Sequence, residues 1–223
     1  MPVVLDFWEV LTVIIASLSF IFGAVMLFRE KTPMYFQFAV CSAGCLALEE
    51  LYNLLCLLCT GEYIASFSIG TLGYAGSLAF LLCANAGTFD SIFSDIGQEQ
   101  KKRKRLAWIA PVILALVFVP VCVLTRRSVW GIVITVLIFA SAIPCSYFNL
   151  KILLLSGKDN PFLRAVKPMN LLSLIYCTSC ITMIASYALG SEAGYNISFY
   201  TMAFSTLGLV IAAVWGRKKW LTQ

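Results

Sequence analysis

The chain has 223 residues, 61% of them hydrophobic and only 12% charged, with a formal net charge of +5 and no histidine. Soluble domains usually carry about 25% charged residues, so this composition excludes one and points to a single polytopic membrane domain over 1–223. Without histidine the commonest catalytic base and metal ligand is missing, and no Gly-rich phosphate cradle or GxSxG elbow occurs, so no enzyme, cofactor or nucleic-acid partner is expected.

Seven apolar stretches follow in chain order. Each is about 20 residues long, enough for a helix to cross a hydrocarbon core of about 30 Å. Continuous runs of this length fit helices and not the alternating strands of a barrel, so the expected fold is all-α with seven transmembrane helices. The first, Phe7–Phe28, is preceded by no Lys or Arg and followed by Arg29 and Lys31. It therefore reads as an uncleaved span and not as a signal peptide. The second, Met34–Cys59, contains LALEELYN with adjacent Glu49 and Glu50 deep inside. The third, Tyr63–Thr88, carries Gly70, Gly73 and Gly76 in a stripe that lets another backbone approach. Asn85 and Asp90, towards its far end, read as a helix terminus meeting headgroups.

The run Lys101, Lys102, Arg103, Lys104, Arg105 precedes the fourth stretch, Leu106–Leu124. Its charges hold that loop in the cytoplasm and attract anionic lipid, and they offer a surface to a cytoplasmic signalling partner. The remaining stretches are Val129–Leu155, Met169–Leu189 and Ile197–Gly216. Of the 16 Lys and Arg, only Arg126 and Arg127 fall on the opposite face from Arg29, Lys31, the Lys101–Arg105 run, Lys151, Lys158, Arg164, Lys167 and Arg217–Lys219. Retained loops collect basic residues on the cytoplasmic side, so the N-terminus is expected outside and the C-terminus inside. Trp8 and Trp130 then fall near outer ends, and Trp108, Trp215 and Trp220 near inner ends, as interfacial rings prefer.

Several motifs carry less. Cys56-Leu-Leu-Cys59 and Cys177-Thr-Ser-Cys180 lie within helices and fit small packing residues better than a zinc site. Cys59 is a candidate to pair with Cys122 across the outer ends of the second and fourth spans, given a suitable Cα separation. A retinal-type Schiff base would need a lysine in mid-helix, whereas Lys218 and Lys219 lie past the last span. Asn196-Ile-Ser198 matches a glycosylation sequon close to a helix start.

A shift of 135 residues aligns Pro33-Met34 with Pro168-Met169, Cys45 with Cys180, Tyr52 with Tyr187, and Thr71-Leu72-Gly73 with Thr206-Leu207-Gly208. Thr12-Val13 echoes Thr135-Val136 at a different offset. These echoes suggest parallel repeats over 7–88 and 129–216, joined by a linker helix over 106–124. Such a 3+1+3 layout resembles that of the SWEET and PQ-loop transporters, which also run N-outside to C-inside. This chain has no Pro-Gln pair and no proline in its first span, so the likeness stops at layout and no family membership is read from it.

The adjacent acids carry the functional expectation. A charge at the centre of a spanning helix costs about 2.5–3.5 kcal/mol even on lenient insertion scales. Glu49 falls roughly 4–5 Å beyond the midpoint of its span at 1.5 Å per residue. Adjacent helix positions differ by about 100° in direction, so the two carboxyls border different surroundings, and Asn53 stacks one turn above them. Polar companions at similar depth are Tyr74 and Ser77, then Tyr176, Thr178, Ser179 and Thr182, then Thr201, Ser205 and Thr206. Glu49, Glu50, Asn53, Tyr74, Tyr176 and Ser179 are the expected proton- or solute-binding set. The plainer reading is a protonated carboxyl serving as hydrogen-bonded glue between helices. The functional expectation is a small-solute transporter or permease of the plasma membrane, coupled to protons or a cation through an intramembrane carboxylate. The alternative is a seven-helix receptor-like sensor or accessory subunit, with homo-oligomers an open option in either case.

Overall fold

The computed structural model describes residues 7–29, 32–60, 69–93, 105–126, 129–155 and 161–221. The described residues form seven α-helices: α1 Phe7–Arg29, α2 Met34–Thr60, α3 Leu72–Phe93, α4 Ile109–Thr125, α5 Val129–Leu154, α6 Pro161–Leu189 and α7 Glu192–Leu221. No strand occurs among them. A helix pairs every interior backbone donor and acceptor within itself, which is why apolar runs of this length take that form. Six of the helices are long and apolar enough to cross a membrane, with α3 the remaining one of the seven. The chain therefore folds as a multi-pass helical bundle suited to a bilayer.

Boundaries differ from the sequence expectation in three places. The expected start of the third helix at Tyr63 lies outside the described residues; a 3₁₀ turn at Ile69–Thr71 leads into α3 at Leu72, and α3 continues to Phe93, past the expected end at Thr88. Glycine in the approach favours a turn over continued helix. The sixth begins at Pro161 instead of Met169 and runs through Pro168. Proline suits a first helical position, and an interior proline removes a single ladder bond that neighbouring groups in a membrane bundle compensate. The seventh begins at Glu192 and not at Ile197, because α6 ends abruptly. Gly190 has φ +70, its N–H donates to the Tyr187 carbonyl, and the Ser191 N–H donates to the Ser186 carbonyl. This pair of bonds is a Schellman closure, which needs a left-handed residue at that position. It brings α7 straight back along α6.

Packing follows a simple plan. Helices α2, α3, α6 and α7 form the centre, through the pairs α2–α3, α6–α7, α2–α7 and α3–α6. Helix α1 lies against α2 and α7, and α5 lies against α6 and α3. Helix α4 packs on α5 and α6 at the periphery, with only 22% of its most apolar 18 residues buried. Phe36, Leu46, Leu78, Leu81, Tyr176 and Met202 fill the interior, while Leu48, Leu55, Leu116 and Val119 face outward. Lipid is as apolar as these side chains, so close fit rather than water exclusion holds the helices together.

That plan corrects the disulfide expectation. Cys59 and Cys122 are both free. Their helices do not form a packed pair, since α4 leans on α5 and α6 while α2 leans on α1, α3 and α7. Of the basic run, Lys101, Lys102, Arg103 and Lys104 lie outside the described residues, and Arg105 is exposed just ahead of α4. At the same end of the bundle, Arg217 donates from Nη1 to the Met26 carbonyl at 2.8 Å and stacks over the Phe36 ring. Met26 supplies one of the last four carbonyls of α1, which have no partner within the helix. Lys167 Nζ likewise takes the Leu155 carbonyl at 2.6 Å, just after α5.

Candidate functional site

Glu49 and Glu50 are both buried, at 2% and 5% exposure, and they face different helices. Glu50 lies on the side of α2 that looks towards α1 and α7. There it lines a small, partly open crevice of ≈ 20 Å³, room for about one water, with Glu9 and Val13 of α1, Asn53, Leu54 and Leu57 of α2, and Phe199 of α7. This is the end of the bundle opposite Arg217. Glu49, one residue earlier, turns about 100° away towards α3. A Cβ built on Gly73 would fall 2.6 Å from Glu49 Cβ and 2.9 Å from the Cys45 carbonyl oxygen, so only glycine permits this approach.

Tyr74 stands between the acids. Its hydroxyl donates to Glu50 Oε1 at 3.2 Å, and it is also within electrostatic reach of Glu49. Neither oxygen of Glu49 makes a hydrogen bond of good geometry among the described residues, although Tyr74 lies near it, and the same holds for the Tyr176 hydroxyl beside Ser77. Glu49 is also within electrostatic reach of Tyr176 and Cys180 of α6. Ser77 lies beside Tyr176 and shares a 2.7 Å hydrogen bond with Ser42. A buried polar atom without a partner is expensive, and three such atoms cluster in this region.

The sequence-derived set is thus partly assembled. Glu49, Glu50, Tyr74 and Tyr176 come together, and Asn53 joins Glu50 on the crevice wall. Ser179 is buried one turn along α6 from Tyr176. Other candidates chosen by depth turn elsewhere: Thr178 and Thr182 are exposed and bond back to carbonyls of α6, and Thr201 does the same on α7. Ser205 and Thr206 are buried but bond to the Met202 carbonyl. Such back-bonding satisfies a hydroxyl within its own helix.

Two features escaped the sequence. Glu9 joins Glu50 in the crevice and feels its charge; an acid in the first turn of an otherwise apolar helix was the available signal. Asn85 is fully buried and not at a headgroup-facing terminus. Because α3 continues to Phe93, Asn85 lies about two turns inside it, whereas the side chain of Asp90 is outside the described residues. Asn85 meets Cys145 of α5 and Ser173 of α6, and Asn149 of α5 approaches the same two side chains, all with zero exposure. The second cluster lies towards the Arg217 end, away from the crevice. Among the described residues no three Cys, Asp or Glu side chains converge as a metal-ligand set.

Comparison with family models, with curated proteins and with solved structures gave no match to this chain, so its chemistry is argued from its own geometry.

Proposed function

We propose that the chain is a small-solute permease of the plasma membrane, coupled to protons through Glu50, Tyr74 and Glu49. The observation that carries this reading is the division of labour between adjacent acids: Glu50 faces the partly open crevice, Glu49 faces the closed centre, and the Tyr74 hydroxyl reaches the first while lying near the second. A proton entering the crevice binds the Glu50 carboxylate. Glu49, buried among apolar side chains, rests neutral; once it releases its proton towards the opposite face as the helices rearrange, Tyr74 turns, gives its phenolic proton to the Glu49 carboxylate and regains one from Glu50, so the phenol ends neutral and the proton has moved inward. Neutralising Glu49 removes a charge from low dielectric and changes what that surface tolerates, which is how a proton can drive a helix rearrangement.

Two further observations support the reading. The basic residues favour N-outside and C-inside over seven spans, which turns the crevice to the exterior. The packing plan is also unchanged when α1, α2 and α3 are exchanged with α5, α6 and α7: α1 on α2 and α7 becomes α5 on α6 and α3. Helix α4 stands outside both sets, as the linker of a 3+1+3 repeat would.

A second reading, a sensor or accessory subunit, is favoured by α4. Its outward Leu116, Val119 and Val123 are exposed and would suit a partner's helix as well as lipid. The deciding experiment is potential-driven proton uptake into vesicles holding the purified protein. Wild type should take up protons, and Glu49→Gln, Glu50→Gln and Tyr74→Phe should not. Uptake in Tyr74→Phe equal to wild type would remove the proposal.

A further inference from the structure

The second polar cluster has an unusual balance of donors and acceptors. Asn149 Nδ2 donates to Ser173 Oγ at 2.9 Å and to Cys145 Sγ at 3.4 Å. Asn85 Nδ2 approaches the same two acceptors, Cys145 Sγ at 3.3 Å and Ser173 Oγ at 3.5 Å. Cys145 Sγ and Ser173 Oγ are themselves 3.8 Å apart. Both amide nitrogens are therefore drawn to one hydroxyl–thiol pair contributed by α5 and α6. The two carbonyl oxygens, Asn85 Oδ1 and Asn149 Oδ1, are left buried with no partner among the described residues. Each such acceptor costs roughly what a lost hydrogen bond costs, and two in one cluster are hard to explain as packing.

From this arrangement we propose that Asn85 and Asn149, held by Ser173 and Cys145, form a binding site for a small uncharged molecule that donates hydrogen bonds through hydroxyl or amide groups. The unpaired atoms are acceptors, which repel an anion. None of the four side chains is charged, so a cation would sit in low dielectric without a counter-charge. Lys151 is buried two residues from Asn149, over the Tyr147 ring, and adds positive charge to this end. A neutral donor is the remaining chemistry. Three helices, α3, α5 and α6, contribute side chains, so occupancy would bias how the two halves of the bundle sit together. Calling this molecule the solute rests on the transport reading; the binding itself does not.

The test uses the full chain in detergent, with thermal unfolding as the readout. Acetamide, lactamide, ethylene glycol and erythritol are the neutral probes, and acetate and methylammonium are their charged counterparts. At least one neutral probe should raise Tm saturably, by about 5 °C at roughly a hundredfold excess over Kd. The charged pair should not. Asn85→Leu and Asn149→Leu should lose the shift, and Asn85→Ser and Asn149→Ser, which leave room and a hydroxyl, replace them if the Leu variants fail to fold. Glu49→Gln should keep the shift, which separates failure of this site from failure of proton coupling. No saturable shift from any neutral probe, or an equal shift in all four Asn variants, overturns the site, as would a single ordered water bridging the two oxygens that no probe displaces.

Discussion

Gly73 and Glu49 occupy touching turns of α3 and α2, so close that a methyl group on Gly73 would overlap Glu49 Cβ at 2.6 Å and the Cys45 carbonyl at 2.9 Å. The close approach puts the carboxyl of Glu49 directly against α3 and brings Tyr74, the next residue, within reach of both acids. Backbone closeness at one glycine therefore sets the geometry of the whole acidic site.

Gly73→Ala should destabilise the protein by about 1–3 kcal/mol, the usual penalty for overpacking, because one of the overlapping atoms is backbone and cannot swing aside. Gly87→Ala on the same helix meets no atom within 4 Å and should be neutral or slightly stabilising. Thermal unfolding in detergent checks both. Equal behaviour of the two variants would show that α2 and α3 are not in this contact.

Glu49→Met should raise stability by about 1–3 kcal/mol while abolishing proton uptake. Removing a buried polar group that makes no well-formed hydrogen bond among the described residues relieves its desolvation penalty, and methionine nearly preserves the shape. Glu50→Met should instead lower stability, since it leaves the Tyr74 hydroxyl without its acceptor. Unfolding curves paired with vesicle uptake read both effects. A Glu49→Met variant less stable than wild type would return Glu49 to the role of structural glue.

Arg217→Ala should cost about 2–3 kcal/mol, because a charged donor to the Met26 carbonyl and a stack on Phe36 are lost together. Arg217→Lys should recover part of it, as an ammonium can still reach one carbonyl but lacks the planar fork. The check is the midpoint of thermal unfolding, and similar losses for both variants would point to shape and not to charge.

Cys59 and Cys122 should react separately with a maleimide and show no linked species on a non-reducing gel after mild oxidation, because their helices pack on different neighbours. Mass spectrometry of the labelled peptides reads this directly. A recovered Cys59–Cys122 bridge would require α4 to lie on the other side of the bundle.

A tag inserted at Ser191, in the tight connection after Gly190, should be reached from outside intact cells, whereas one after Gln223 should be reached only after permeabilisation. The lopsided distribution of Lys and Arg predicts this orientation. A protected Ser191 tag would invert it and turn the Glu9–Glu50 crevice inward.

Some of this was determined by sequence alone. The thickness of a hydrocarbon core and the need of every backbone group for an internal partner dictate helices about 20 residues long, so the existence of all seven was legible, though not every boundary. So was the anomaly of Glu49 and Glu50, since a carboxyl among apolar residues needs no neighbour to look costly. The direction in which each points was not legible. A helix fixes the angle between adjacent side chains but not its own rotation, and in lipid that rotation is decided by where small residues such as Gly73 let another backbone come close. Only that packing put Glu50 in a crevice with Glu9 and Phe199, and only the extra turn of α3 beyond Thr88 carried Asn85 inward to Cys145 and Ser173. These contacts join helices far apart in sequence, and no local pattern encodes them.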